Sequence, residues 1–147
     1  MALRFRVALA LAWALPCSLF GALCGAAVLA LGGSCRRERR TLEFVRFEGV
    51  APAGSSWQRL PFAAITLGHV VIAVSQAALH RLRSHEQVHV RQYERWGPLF
   101  FAAYPAASLV AALRGQCPYR HNRFEVEAHR QQDAGGPTQP LSSKLRK

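Results

Sequence analysis

Ser84–Trp96 reads SHEQVHVRQYERW and contains His85, Glu86 and His89 in the spacing HExxH. On an α-helix, residues four apart share one face with Cβ atoms about 6 Å apart, so two imidazoles there can hold a single Zn²⁺. Glu86 is one residue on. It stands where it can take a proton from water that the metal activates. The competing reading is a solvated helix that carries His and Glu by coincidence. The alternating charges Arg81, Arg83, Glu86, Arg91, Glu94 and Arg95 suit such a wet face. The flanking sequence has to decide between them.

Outward from the motif, the helical pattern runs from Gln76 to Trp96, with Leu79, Leu82, Val88 and Tyr93 among its apolar positions, and Gly97-Pro98 stops it. Before it, Phe62–Val74 (FAAITLGHVVIAV) is a continuous apolar, β-branched run that predicts a buried strand with Gly68 as a bulge. Thr41–Phe47 (TLEFVRF) alternates apolar and polar residues and predicts a half-buried strand, and Ala51–Ser56 is loop chemistry. A strand that feeds an HExxH helix leaves a sheet edge beside the metal, where an extended peptide can pair. His69, inside the apolar run, reads as a histidine satisfied in or beside the sheet. His80 is out of phase with the His85–His89 pair and reads as surface.

Beyond the motif, Leu99–Leu113 (LFFAAYPAASLVAAL) is apolar and Arg123–Asp133 (RFEVEAHRQQD) predicts a last helix that ends at Gly135-Gly136. If Leu99–Leu113 crossed a bilayer once, His89 and everything after Arg114 would lie on opposite sides of it. A site shared between them therefore requires a buried or interfacial helix, or a re-entrant pair broken at Pro105. Residues 135–147, rich in Pro, Ser, Thr, Gln and basic residues, predict a disordered basic tail.

At the other end, Val7–Gly33 carries no charge, and it exceeds the ~20 residues that a helix needs to cross a hydrocarbon core. It predicts a single transmembrane anchor, kinked at Pro16, with small residues (Gly21, Ala22, Gly25, Ala26, Ala27) suited to packing against another helix. A cleaved signal peptide also fits a basic start followed by an apolar stretch, and would make the body secreted or periplasmic. Arg36, Arg37, Arg39 and Arg40 follow the run, against Arg4 and Arg6 before it. The positive-inside bias then leaves the body cytoplasmic.

Composition narrows the partners. The 147 residues suit one domain, and the net charge of +11 rests on seventeen arginines and two lysines. Such a charge attracts anionic lipid or nucleic acid. The arginines are densest beside the apolar run and no recognition-helix motif accompanies them, so membrane lipid is the expected partner and nucleic acid is not. Cys17, Cys24, Cys35 and Cys117 form neither a CxxC nor a finger spacing, and read as small apolar residues or free thiols.

A catalytic zinc takes three protein ligands and leaves one position open. No His follows His89 until His121, so a nearby third histidine is excluded, and a later Glu is the remaining choice. Asn122–His129 (NRFEVEAH), which holds Glu125 and Glu127, is the candidate stretch. Together HEQVHVRQ and NRFEVEAH resemble the gluzincin membrane metalloproteases, the group of the CAAX-prenyl endopeptidases and the antirepressor-cleaving sensor proteases, which pair HExxH with a later helical E-x-x-A-D. The resemblance covers Arg83–Arg130. It implies that His85, His89 and Glu125 hold Zn²⁺, that Glu86 is the catalytic base, and that the substrate is a peptide or protein. His129 stands where the family has Asp, and Arg83 and Arg91 flank a motif usually bordered by uncharged residues.

Two other readings of the second motif stay open. Asn122-x-x-Glu125 is a capping-box pattern in which Glu125 would bond back to its own helix, and Glu127 is a fallback ligand. Tyr119, Arg120 and His121 are candidates to stabilise an oxyanion. The expected architecture is α+β: a small zincin-like domain over 36–134 with a short sheet, the HExxH helix and a glutamate-bearing last helix, preceded by the anchor or signal segment at 1–35. The alternative function is a non-catalytic, membrane-anchored basic protein whose zinc site is structural or absent, and which binds anionic lipid or a protein.

Overall fold

The computed structural model describes residues 2–134, with side chains from Val7 onward; the tail expected at 135–147 lies outside the described residues. Helix α1 spans Ala2–Ala30 and leads into a β-hairpin of β1, Ser34–Glu38, and β2, Thr41–Phe47. A 3-10 turn at Ser56–Arg59 precedes β3, Ala64–Leu67, and β4, Val70–Ser75. Helix α2, Gln76–Trp96, follows β4 directly, with Ser75 Oγ capping its start by accepting from the Ala78 N–H. A 3-10 turn at Gly97–Leu99 joins it to α3, Phe100–Leu113, and α4 covers Arg123–Ala134.

The sheet order is β1-β2-β4-β3, with β2 parallel to β4 and the other neighbours antiparallel. All six residues of β4 are buried, as a strand covered on both faces requires. On one face Val45, Val71 and Ala73 pack with Leu79 and Val90 of α2. On the other, Phe44, Leu67, Val70 and Ile72 pack with Val28 of α1. The sheet thus lies between α1 and α2.

This changes the role of the small residues of α1. A Cβ on Gly21 would stand 2.8 Å from the Leu67 carbonyl oxygen and from Val70 Cβ, and one on Gly25 would stand 2.6 Å from the Phe44 ring. The close partner is therefore the sheet and not another helix. The opposite side of α1, including Leu9, Leu15, Leu19 and Leu23, is exposed and apolar. Val7–Ala30 is long and apolar enough to cross a membrane, and so is the near-continuous helical run Gln76–Leu113.

Two sequence expectations are corrected or narrowed, and one strand, β1, was not foreseen. Phe62–Val74 is a hairpin and not one bulged strand: Leu67 pairs with Val70, and Gly68, at φ 64°, takes the first turn position, where two-residue hairpins often need a positive φ. β1 (SCRRE) has no apolar alternation to announce it, and its exposed arginines blunt a sheet edge. Of the two forms expected for Leu99–Leu113, the single helix is present and the re-entrant pair broken at Pro105 is not. The ring costs the helix one hydrogen bond while its φ stays helical, and α3 runs through it.

Candidate metal centre

Four elements bring the site together. His85, Glu86 and His89 all lie on the buried face of α2 and are 4–7% exposed. Helix α4 packs against α2 and delivers Glu125, 3% exposed. Its start is fixed by Asn122, whose Oδ1 accepts from the Phe124 N–H at 2.9 Å. The Asn122 amide also donates to the Tyr104 carbonyl and to Ser108 Oγ, which ties α4 to α3.

Glu125 does not close a capping box. Its carboxylate lies 3.2 Å from His85 Nε2 and 3.3 Å from His89 Nε2, and the two Nε2 atoms are 3.1 Å apart. Tyr104 Oη donates to Glu125 Oε1 at 2.7 Å. Residues on either side of α3 thus meet, as a shared site requires. Glu127 faces elsewhere and accepts from Gln92 Nε2 at 2.9 Å.

The hydrogen bonds around His89 fix its tautomer. Gln92 Nε2 donates to the Phe124 carbonyl and to Glu127, so Gln92 Oε1 is the acceptor for His89 Nδ1–H at 2.8 Å. In the neutral ring His89 Nε2 therefore carries the lone pair, turned toward His85 and Glu125, and in the cation the added proton on Nε2 points to Glu125. In this metal-free arrangement burial disfavours the His89 cation, but the bond to Glu125 and its charge outweigh that and raise the pKa above 6.5. Burial likewise works against a charged Glu125. The neighbouring His85 and His89 imidazoles and the hydrogen bond from Tyr104 outweigh it and hold the carboxyl well below 4.5.

The three donors fit a small, tetrahedral cation. Zinc bonds of about 2.0–2.1 Å put tetrahedral ligands roughly 3.3 Å apart; here the two Nε2 atoms are 3.1 Å apart, Glu125 Oε2 is 3.2 Å from His85 Nε2, and the other carboxylate oxygen, Oε1, is 3.3 Å from His89 Nε2. Glu125 Oε2 is buried without a hydrogen-bond partner, which a cation would supply. His85 Nδ1 is also buried and unpartnered, so His85 lacks the orienting contact that His89 has. A ring nitrogen of His129 lies within 4.8 Å of the ligand atoms of His85 and Glu125.

Glu86 is placed apart from these donors. Thr66 Oγ1, on β3, lies 2.7 Å from Glu86 Oε2 and aims the carboxylate. Because β3 pairs only with β4 among the described residues, its second edge carries no strand partner, and Thr66 on this strand contacts Glu86. The site is polar at the α2–α4 seam and apolar behind it, where Tyr93, Phe100 and Phe124 form a buried cluster.

The remaining candidates lie outside the donor set. His69 is buried at the β3–β4 turn and contacts Ser18 and Glu94, so it is a satisfied histidine, and His80 contacts Gln76 on the surface. Arg120 and His121 are exposed. Tyr119 stacks edge-on against His129 with ring centroids 6.2 Å apart. Arg83, one of the two unusual flanking arginines, forms a two-point ion pair with the buried Glu43. Sequence reasoning missed Thr66, Gln92 and Tyr104. Only Gln92 had a local signal, its three-residue spacing from His89.

No protein-family model matches this chain, and neither a curated protein nor a solved structure matches it.

Proposed function

We propose that the protein is a zinc-dependent membrane metallopeptidase of gluzincin type, with His85, His89 and Glu125 holding the metal and Glu86 as the base. The observation that carries this reading is the approach of the Glu125 carboxylate to both His Nε2 atoms at 3.2 and 3.3 Å. A capping glutamate would not leave its own helix to do this. When bound, zinc would polarise a scissile carbonyl and acidify water, as it does in metallopeptidases.

The chain's own residues do the rest. His89 is held as the Nδ1–H tautomer by Gln92 and offers Nε2. Tyr104 supports Glu125 from behind. Glu86, aimed by Thr66, accepts the proton from attacking water and returns it to the leaving amine. An extended peptide pairs with the unpartnered edge of β3, the strand whose Thr66 contacts Glu86, and this aligns the scissile bond.

The membrane part of the reading rests on the exposed apolar sides of α1 and α3, which meet where Phe20 packs edge-on against Phe101 at 6.2 Å. In this reading α1 grips the sheet with its small-residue stripe and presents Leu15, Leu19 and Leu23 to lipid. The arginines at 36, 37, 39 and 40 lie beyond its C-terminal end, at the level of anionic headgroups.

Metal content and a peptide-cleavage assay on detergent-purified protein test this. Wild type should carry close to one zinc, Glu125→Gln and His89→Ala should lose it, and Glu86→Gln should keep zinc and lose cleavage. Wild-type protein that binds no zinc ends both this reading and that of a structural zinc site. Retained zinc with no cleavage of any peptide leaves the structural one.

A further inference from the structure

A catalytic zinc needs an open fourth position, whereas structural zinc sites are closed by four protein ligands. The three donors already described leave one vertex free. His129, one turn after Glu125 on α4, stands next to them: its ring is 4.8 Å from that of His85, centroid to centroid, at 79°. A ring nitrogen lies within 4.8 Å of the His85 and Glu125 donors.

The tautomer of His129 decides what it can do there. Its Nδ1 lies 2.8 Å from the Glu125 backbone carbonyl, which can only accept, so Nδ1 carries the proton. Nε2 is then a bare lone pair. A bare nitrogen can bind a metal, but it cannot donate a hydrogen bond to a developing oxyanion. This favours a ligand role over an oxyanion-stabilising one.

The spacing indicates that the ligand is held back at rest without metal. Tetrahedral zinc ligands stand roughly 3.3 Å apart, against a separation of up to 4.8 Å here, so the ring has at most about 1.5 Å to travel. It is free to do so. The side chain is exposed, and its ring bonds to its own helix, with Tyr119 as an edge-on neighbour.

Resting on the zinc reading above, we propose that His129 is a displaceable fourth ligand, which closes the metal site in the absence of substrate and swings away to open it. The exchange is one of ligands only: the His129 nitrogen leaves the metal and an incoming oxygen takes its place, with no change of oxidation state.

The test uses the full chain in detergent, with zinc affinity measured by chelator competition and azide titrated against the Co²⁺-loaded protein by visible absorption. His129→Ala should weaken zinc binding by at least the ~10–100-fold that loss of an outer-sphere partner costs. It should also strengthen azide binding to the cobalt form by about tenfold or more, because azide no longer has to displace the imidazole. His129→Gln, which keeps the exposed helix surface polar, should behave alike and carries the test if the alanine variant is unstable. Either readout unmoved within twofold overturns the proposal. If wild-type protein binds neither Zn²⁺ nor Co²⁺ stoichiometrically, the metallopeptidase reading fails and this one with it; metal bound with unmoved readouts overturns the fourth-ligand proposal alone.

Discussion

Gln92 Oε1 accepts from His89 Nδ1–H at 2.8 Å, while the Gln92 amide nitrogen is bonded to the Phe124 carbonyl and to Glu127 on the facing helix. One buried side chain therefore sets a histidine tautomer and joins α2 to α4, the two helices that bring the donor set together. Orientation of the ligand and assembly of the site depend on the same residue.

Gln92→Leu should accordingly weaken zinc binding by about 10–100-fold, the usual cost of removing an orienting partner from a ligating histidine. It also removes the amide that donates to the Phe124 carbonyl and to the Glu127 carboxylate, at a cost of about 1–3 kcal/mol. Chelator competition and thermal unfolding with and without zinc separate the two effects. Unchanged zinc affinity would show that His89 needs no such partner.

Thr66→Val removes the hydroxyl that holds Glu86 with almost no change of shape. Zinc affinity should stay the same, because Thr66 touches no donor to the metal. Cleavage should fall by up to about 100-fold, the lower end of what a positioned base contributes. A comparable loss of zinc would mean that Thr66 supports the metal site as a whole.

Arg83→Ala should destabilise the fold by about 3 kcal/mol, since it leaves the Glu43 carboxylate buried without its cation. The lower end of the range for such pairs is appropriate because the Arg83 side chain is 29% exposed, against 1% for Glu43. Replacing both residues with leucine should recover most of the loss in a denaturant titration. If the double replacement is as unstable as Arg83→Ala, the loss comes from packing and not from the stranded charge.

How much of this could be read from the sequence follows from which forces are local. The period of α2, the stop at Gly97-Pro98 and the cap at Asn122 are set by neighbours in the chain, and so they were legible. The convergence of His85, His89 and Glu125 has no local signal, and its expectation came from the need for a third ligand together with the resemblance of NRFEVEAH to an E-x-x-A helix. Tyr104 sits in an apolar run whose pattern gives no reason for its hydroxyl to face Glu125, and Thr66 lies on a strand that the continuous run Phe62–Val74 hid. The packing of α1 on the sheet was hidden for a related reason. A helix apolar on all sides looks the same whether its small-residue stripe meets lipid, a helix or a sheet.

That stripe gives its own prediction. Gly25→Ala places a methyl group 2.6 Å from ring atoms of Phe44, which is 5% exposed and packed within the sheet face. Relief requires α1 or the strand to move, at a cost of about 1–3 kcal/mol. Gly32→Ala, at a position with open space and φ 83°, bears only backbone strain and serves as a reference. If limited proteolysis in detergent finds both variants as resistant as wild type, the contact between α1 and Phe44 is not close in solution.

The pH dependence of zinc binding follows from the pKa shifts, with opposite signs for the two groups. In metal-free protein the His89 value is raised above 6.5, so its contribution to stability is full below about 6.5 and is lost as pH rises through the higher folded value. The Glu125 value is lowered from 4.5, so its contribution is present above about 4.5 and is lost as pH falls through the lower folded value. From these two groups, metal-free protein should be most stable between those limits. Zinc needs the neutral imidazole and competes with the proton on His89, so zinc affinity should rise with pH through the raised His89 value and then level off. Glu125→Gln removes the charge that raises that value. In any residual zinc binding by this variant, the rise should move to lower pH; a midpoint that stays in place would mean that a group other than His89 governs the competition.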